Sequence, residues 1–345
     1  MSPKKNQNLG YACCDRYAEK DGRAIIWEGN YWDDDDVHDC GEIDWETMNI
    51  VVKKISALLL KYCEPKDRIA VLFPRLVQLP MTIVAAIRVG VVPIIVDPLT
   101  SPENLAQLIQ ELAPKAIITV DGFFQAQKLH KVMENVNSAL KLCQNPCQKV
   151  IVLRHVAPND GVPPPSVNLN LDETRDVEWS AEFLKIDDDV KTDEYKFKGS
   201  DVVAILPKLG EEKHFEVFYS DLRHELEITQ RILEIDDEDD DEITDNILVL
   251  DNPTTLESLT NMMTPWFGGR TLILYEGPLD YPDPSRLSQI VLKHQATSLA
   301  AAEIPEERLD PEYLSLFNVE NLRRIFGSSA SHFQQAYPNV HVLRK

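Results

Sequence analysis

Short apolar runs and amphipathic segments alternate through the first half of the chain. Short, mainly apolar runs predict buried strands at 68–73, 91–96, 115–120 and 149–153. Apolar residues at three- and four-residue spacing predict helices at 76–89, from Ser101-Pro102 onward and at 125–142. An earlier helix is expected to begin after the N-cap Asp44 and to end at Pro65. Aliphatic strands separated by helices are typical of parallel sheets covered on both faces.

This alternation stops at residues 156–200, where four prolines accompany Asn, Asp and Gly and predict a linker or surface loop. A second alternation begins at Asp201. It predicts strands at 202–206, 246–250, 270–275, 297–301, 322–326 and 339–343, and helices near 220–234, 255–266, 284–295 and 310–317. We therefore expect an irregular lead-in at 1–40, a first α/β subdomain at 41–155, the linker at 156–200 and a second α/β subdomain at 201–345. The predicted fold class is α/β, with two doubly wound, mainly parallel sheets.

The charge balance narrows the classes of function. The 345 residues contain 35 Lys and Arg against 57 Asp and Glu, a formal net charge of −22. Phosphate backbones and anionic lipid headgroups repel such a chain, so we expect no direct binding of nucleic acid. No apolar run approaches the ~20 residues of a membrane-spanning helix, and no membrane insertion is expected. The acid runs Asp33–Asp36, Asp187–Asp189 and Asp236–Asp241 lack the spacing of a calcium loop and are expected to be solvated.

The cysteines and histidines indicate neither a metal site nor a catalytic site. Cys143 and Cys147 have no second pair at zinc spacing, so no metal is expected. No histidine pairs with Ser, Cys or a carboxylate at a motif spacing, and His294 is expected to have a structural role near a helix C-terminus. The first residues carry no apolar signal segment. The expected compartment is the cytoplasm, with the nucleus as the alternative.

Several short blocks follow one another in a distinctive order. They include Asp67-Arg-Ile-Ala-Val-Leu-Phe-Pro74, Ala85-Ala-Ile-Arg-Val-Gly90, Ser101-Pro-Glu-Asn-Leu-Ala106, Tyr275-Glu-Gly-Pro278, Pro282-Asp-Pro-Ser-Arg286 and Lys293-His-Gln295. In order and spacing these blocks resemble acetyl-CoA synthetases, which belong to the AMP-forming adenylating superfamily. Such enzymes make an acyl-adenylate from ATP and a carboxylate and then pass the acyl group to CoA. The resemblance implies a fold like part of the N-terminal domain of acyl-adenylate-forming enzymes.

The resemblance implies that residues 206–217 replace the loop that holds the ATP phosphates in the family. The candidate cofactor-binding positions of this degenerate phosphate loop are Lys208, Leu209, Gly210, Glu211, Glu212, Lys213 and Glu216. Glu211 and Glu212 stand where small and hydroxyl residues are expected, and Glu216 stands at the position of the family's lysine. A carboxylate about 5 Å from a phosphate costs roughly 3 kcal/mol at an effective dielectric constant of 20. We therefore expect no bound ATP; in the alternative, Lys208 and Lys213 would rescue the site.

Other family positions also differ in this chain. In the segment that shapes the acyl pocket, Thr254 replaces a tryptophan and Ser258 replaces a histidine. The turn near the adenine aligns with Ala302-Glu303-Ile304, and the segment that holds the adenine aligns with Ser329-Ala330-Ser331. Gln107 aligns with an arginine that is expected to help hold CoA. We therefore predict no catalytic residue and no cofactor.

The chain ends at Lys345, where the synthetases continue into a further ATP motif and a C-terminal domain that carries the adenylation lysine. The resemblance therefore predicts a shortened, catalytically inactive relative, a pseudoenzyme that acts as an interaction or structural component. A protein partner or self-association is expected to cover the truncated edge of the sheet. The alternative is a sensor or weak enzyme that retains an acyl, CoA or nucleotide pocket.

Overall fold

The computed structural model describes residues 7–32, 38–156, 171–210, 213–234 and 245–343. The first elements are helix α1 (Leu9–Cys13), a 3-10 turn at Asp15–Tyr17, strands β1 (Arg23–Trp32) and β2 (His38–Asp44), helix α2 (Trp45–Tyr62), β3 (Arg68–Leu72), α3 (Gln78–Val89), β4 (Val92–Ile95), α4 (Pro102–Leu112), β5 (Ala116–Val120), β6 (Phe123–Gln125), β7 (Lys128–His130), α5 (Val132–Leu142) and β8 (Val150–Leu153).

The remaining elements are β9 (Asp176–Glu178), α6 (Trp179–Phe183), β10 (Val202–Leu206), β11 (Phe215–Phe218), α7 (Tyr219–Glu234), β12 (Asn246–Val249), α8 (Leu256–Phe267), β13 (Thr271–Tyr275), α9 (Arg286–Lys293), β14 (Ser298–Ala300), a 3-10 turn at Glu306–Arg308, α10 (Pro311–Leu314), β15 (Arg324–Phe326), a 3-10 turn at Ala330–Phe333 and β16 (His341–Leu343). These elements form two compact units. The first comprises Met1–Tyr11, Asn49–Pro74 and Gln78–Ser220, and the second comprises Ala12–Met48, Arg75–Val77 and Asp221–Lys345.

The first unit is built on a seven-stranded sheet with the order β11-β10-β4-β3-β5-β8-β9. All neighbouring strands are parallel except β11, which runs antiparallel to β10.

Two predicted helix starts are confirmed. The Asp44 carboxylate accepts from the Thr47 backbone N–H at 2.7 Å, and the Ser101 hydroxyl accepts from the Asn104 backbone N–H at 3.3 Å.

The second unit holds a second seven-stranded sheet with the order β16-β15-β14-β12-β13-β1-β2. It is parallel apart from β2, which is antiparallel to β1. Its core joins the sheet to flanking helices through a cluster that includes Ile26, Leu248, Ile273, Leu299 and Phe333. The predicted α/β class with two mainly parallel sheets is therefore confirmed.

Several boundaries differ from the predictions because sheet membership depends on distant pairing. The expected irregular lead-in at 1–40 contains β1, which pairs with β13. The strand at 202–206, expected to open a second subdomain at 201–345, pairs instead with β4 of the first sheet. The predicted linker at 156–200 includes β9 and α6.

The helix predicted at 125–142 begins only at Val132, because the hairpin β6–β7 precedes it. Asp33–Asp36 and Asp236–Asp241 lie outside the described residues, as do the four prolines of the predicted linker. Within the described ranges, no helix has the length and apolar character needed to cross a bilayer.

Candidate functional site

The degenerate phosphate loop connects β10 to β11 as the turn of an antiparallel hairpin. Leu206 pairs with Phe215, and Ile205 pairs with Glu216. Lys208, Leu209 and Gly210 are exposed in the turn, and so is Lys213. Glu211 and Glu212 lie outside the described residues. Among the described candidate positions, Glu216 lies on β11, whereas Lys208, Leu209, Gly210 and Lys213 lie in the turn.

His214 connects the base of this turn to helix α4 through hydrogen bonds. Its Nδ1 accepts from the Lys208 backbone N–H at 3.3 Å, and its Nε2 lies 2.9 Å from Oε2 of Glu111 on α4. The other Glu111 oxygen accepts from the Gln107 side-chain amide at 2.8 Å. Hydrogen bonds from Gln107 and His214 lower the pKa of Glu111. Gln107, mapped by the resemblance to a CoA-binding arginine, is thus connected to the phosphate-loop segment through Glu111.

Glu216 belongs to β11 and not to the turn. Its exposed side chain lines a cleft with a volume of about 260 Å³, together with Lys66 and Arg68. The structure therefore separates Glu216 from Lys208 and Gly210, although all three belong to one sequence motif. The cationic side chains that line the same cleft come from the start of β3 and from the residues before it.

Asp251 brings together the family-aligned positions of the second unit. This buried residue follows the carboxyl end of β12, and its two carboxylate oxygens accept from the backbone N–H groups of Ala302 at 2.7 Å and Glu303 at 2.9 Å. The Ser329 hydroxyl accepts from the Ile304 N–H at 3.0 Å and donates to the Ala302 carbonyl at 2.9 Å. Burial raises the pKa of Asp251, against the opposing effect of these backbone N–H groups.

The segment aligned with the acyl pocket is an ordinary helix start. Thr255 and Ser258 form a reciprocal capping box at the beginning of α8, and Ser258 is buried. The Thr254 hydroxyl donates to the Glu303 carboxylate at 3.2 Å. The residues that replace the family's tryptophan and histidine therefore hydrogen-bond to neighbouring residues.

Arg75 occupies the carboxyl ends of β12 and β13. Its guanidinium donates to the carbonyls of Tyr275 at 2.7 Å, Gly277 at 3.0 Å and Leu250. Burial lowers the pKa of Arg75, while nearby Asp251, Tyr275 and Glu276 act in the opposite direction. A charged residue two or three positions after the end of a buried strand could have signalled Arg75 and Asp251.

Glu28 is the centre of a buried ion cluster in the second unit. Its side chain is 1% exposed, and its carboxylate contacts Nη2 of Arg286 at 2.6 Å, Nζ of Lys293 at 2.7 Å and Nε2 of His294 at 2.8 Å. Burial alone would raise the pKa of Glu28, but hydrogen bonds from His294 and Lys293 and the nearby positive charges lower it to about 2. His294 thus contacts a carboxylate within the fold. A glutamate that directly follows the apolar residues 24–27 could have signalled this cluster.

A search of the described ranges finds no group of three or more His, Cys, Asp or Glu side chains arranged to hold a metal ion. In the second unit, Asp251 is hydrogen-bonded to backbone N–H groups of the chain itself. In the first unit, His214 is likewise engaged with Lys208 and Glu111. A ligand at either place would have to displace protein hydrogen bonds.

The comparisons with known proteins agree with this fold. The model of the AMP-binding enzyme family matches residues 18–204, more than half of the chain. This chain belongs to the AMP-binding enzyme family. The resemblance to acetyl-CoA synthetases is confirmed: that of Syntrophobacter fumaroxidans is 28% identical over 300 residues, covering 84% of this chain and 42% of the synthetase. That of Leptospira biflexa is 26% identical over 331 residues, covering 93% of this chain and 48% of the synthetase.

This member of the AMP-binding family therefore spans less than half the length of these two synthetases. An uncharacterised protein of Caenorhabditis elegans is 44% identical over 121 residues, which are 33% of this chain and 81% of that protein. Among solved structures, the luciferase-like enzyme from the mealworm Zophobas morio superposes with a TM-score of 0.71 at 14% identity, over 100% of this chain and 73% of that one. This last similarity shows a shared fold.

Proposed function

We propose that this AMP-binding family member does not catalyse adenylation and acts as an interaction or structural component of a protein assembly in the cytoplasm. The observation that carries the proposal is Glu216, an exposed carboxylate on β11 at the position of the family's phosphate-loop lysine. A carboxylate at this position cannot supply the positive charge that a lysine would offer to a triphosphate. Glu211 and Glu212, which belong to the same segment, add to the argument from sequence alone.

The neighbouring hydrogen bonds support the proposal. Phosphate-binding loops offer unpaired backbone N–H groups to the anion. In this hairpin the Lys208 N–H donates to His214, and in the second unit the N–H groups of Ala302, Glu303 and Ile304 donate to side chains of the chain itself. These donors are therefore less available to a nucleotide.

Exposed apolar side chains on the same hairpin support the interaction role. Leu209 is 49% exposed, Phe215 41% and Phe218 37%. Strand β11 is at one end of the first sheet, and exposed edge strands with apolar side chains are common sites of pairing with another chain. All six cysteines are free, which agrees with a reducing compartment.

Ligand binding and turnover test the absence of catalysis. Calorimetry and thermal denaturation with ATP-Mg, AMP, CoA and acetyl-CoA should show no heat of binding and no stabilisation, and acetate should produce no pyrophosphate release. An active bacterial acetyl-CoA synthetase serves as the positive control. Acetate-dependent pyrophosphate release would contradict the proposal, and stabilisation by a nucleotide or CoA without turnover would favour a sensor.

The interaction role is tested on the hairpin. A Phe215→Ser/Phe218→Ser variant should lose self-association or partner binding in sedimentation velocity, whereas Leu184→Ser should not. Leu184 is a matched control because it is 81% exposed and follows α6, away from β11. Equal sedimentation of the native chain and both variants as monomers, with unchanged partner binding, would count against β11 as the interaction surface.

A further inference from the structure

A cleft in the first unit lies at the amino ends of three parallel strands. Arg68 begins β3, Val92 begins β4 and Val202 begins β10, and all three residues line it. The turn of the β10–β11 hairpin follows the opposite, carboxyl end of β10. The cleft has a volume of about 260 Å³, just below the ~300–1,000 Å³ typical of pockets for drug-sized ligands. Its size suits a small metabolite.

Aromatic side chains form the apolar wall of the cleft. The half-buried rings of Tyr195 and Phe197 meet edge to face with centroids 4.8 Å apart. Gly90 has φ +78°, and an added Cβ would lie 2.4 Å from the Tyr195 ring. A glycine is therefore required for Tyr195 to pack against this turn. The Tyr195 backbone is fixed as well, because its N–H donates to the Arg88 carbonyl at 2.9 Å.

Opposite charges face the same cleft without being fully paired. Nζ of Lys66 lies 3.9 Å from Oδ1 of Asp201, beyond hydrogen-bond distance. Arg68 donates through Nη1 to the Leu112 carbonyl at 3.3 Å, which leaves part of its guanidinium for a ligand. The Glu216 carboxylate makes no hydrogen bond or ion pair to any residue in the described part of the chain.

Lys66 adopts a backbone conformation that is uncommon for a lysine. Its φ is +77°, and its N–H donates to the Gly90 carbonyl at 2.7 Å. Left-handed conformations of residues other than glycine cost energy and often mark functional positions. With this backbone conformation, the side chain of Lys66 lines the cleft and lies near Asp201.

We propose that this cleft binds a small zwitterion, an α-amino acid with an apolar side chain. Arg68 and Lys66 contact its carboxylate, since a guanidinium matches a carboxylate with paired N–H groups. Glu216 and Asp201 accept from its ammonium group, and Tyr195 and Phe197 pack against its side chain. A ligand with one charge would satisfy only one of these two groups and would face uncompensated charge from the other.

The test compares five apolar amino acids with two analogues of leucine that keep its hydrocarbon skeleton and carry a single charge. Ligand-observed NMR and calorimetry are run on the full chain with valine, leucine, isoleucine, methionine and phenylalanine. The 4-methylpentanoate ion and 3-methylbutylamine then carry one charge each. We expect at least one amino acid to bind with a millimolar or lower Kd, and both single-charge analogues of leucine to bind about tenfold more weakly than the preferred amino acid.

Glu216→Gln, a change of an exposed side chain, should weaken amino-acid binding about tenfold and should strengthen 4-methylpentanoate binding, because the anion no longer faces the Glu216 charge. Glu103→Gln, at an exposed position on α4, is the matched control and should bind like the native chain. The proposal is overturned if none of the five amino acids binds, or if Glu216→Gln and the native chain bind them equally. Nucleotide binding is measured separately, so the two proposals can fail independently.

Discussion

Glu28 shows how one carboxylate is kept charged inside a strand. Three cationic or protonatable side chains surround it, and its own side chain is 1% exposed. A buried ion cluster contributes little relative to apolar packing, yet removal of one partner leaves uncompensated charge. Loss of the Glu28 carboxylate should therefore destabilise the fold mainly because the positive charges around it would lose their counter-charge.

Glu28→Gln should lower the free energy of unfolding at pH 7 by about 3 kcal/mol, because Arg286, whose side chain is 1% exposed, would remain buried without its counter-charge. Urea denaturation measures this. Glu42→Gln is the matched control: Glu42 pairs with Arg23 at 2.8 Å with both side chains about half exposed, so its loss should cost less than ~1 kcal/mol. Equal effects of the two changes would contradict the cluster's role.

The lowered pKa of Glu28 predicts that the stability of the fold depends on pH. The folded-state pKa of Glu28 is lowered from 4.5 to about 2, so its stabilising contribution is complete above the unfolded-state pKa. It should be lost as the pH falls from about 4.5 towards 2. In chemical denaturation from pH 6 to pH 3, the native chain should lose more stability than Glu28→Gln. Parallel curves would show that Glu28 does not titrate in this way.

Gly327 illustrates a backbone constraint beside the segment aligned with the adenine site. Its φ is +111°, and an added Cβ would lie 2.3 Å from the Ala301 carbonyl oxygen. Gly327→Ala should therefore destabilise the chain by about 1–3 kcal/mol. Gly41→Ala is the control, since no atom lies within 4 Å of its added Cβ. Thermal denaturation that shows Gly327→Ala to be as stable as Gly41→Ala would refute this constraint.

At the level of elements, the β10–β11 hairpin depends on a contact that sequence alone did not reveal. His214 lies 103 positions from Glu111, and nothing in its local pattern indicates that partner. The strands themselves were predictable, because β3, β4, β5 and β8 are short, mainly aliphatic runs. Strand β1 was not, because it includes polar residues and pairs with a strand far along the chain.

Removal of the His214 contact should loosen the turn without unfolding the chain. Glu111 is 43% exposed, so His214→Ala should change global stability by less than ~1 kcal/mol. Hydrogen–deuterium exchange should nevertheless increase at 208–210 and 213–215, while β3 and β5 remain protected. His224→Ala, on α7, provides the control. Unchanged exchange in the turn would mean that His214 does not hold it.

On the scale of the whole molecule, the net charge of −22 acts against self-association. Salt screens this repulsion, with a Debye length of about 8 Å at 0.15 M. Sedimentation velocity should therefore show more self-association through β11 as salt increases from 0.05 to 0.5 M. A complex with a basic protein should weaken over the same range. The sign of the salt effect thus distinguishes the two kinds of partner.

The pairing of β1 with β13 joins Ile25 to Leu272, and this has a consequence for synthesis of the chain. At about 5–20 residues per second, β1 emerges from the ribosome roughly 10–50 s before its parallel neighbour exists. Strand β2 can pair with one edge of β1 early, but the other edge lacks its parallel neighbour, and such an unpaired edge is a target for chaperones during that interval. Nascent chains stalled before residue 270 should accordingly keep a chaperone bound. Chains stalled close to the last residue should have released it.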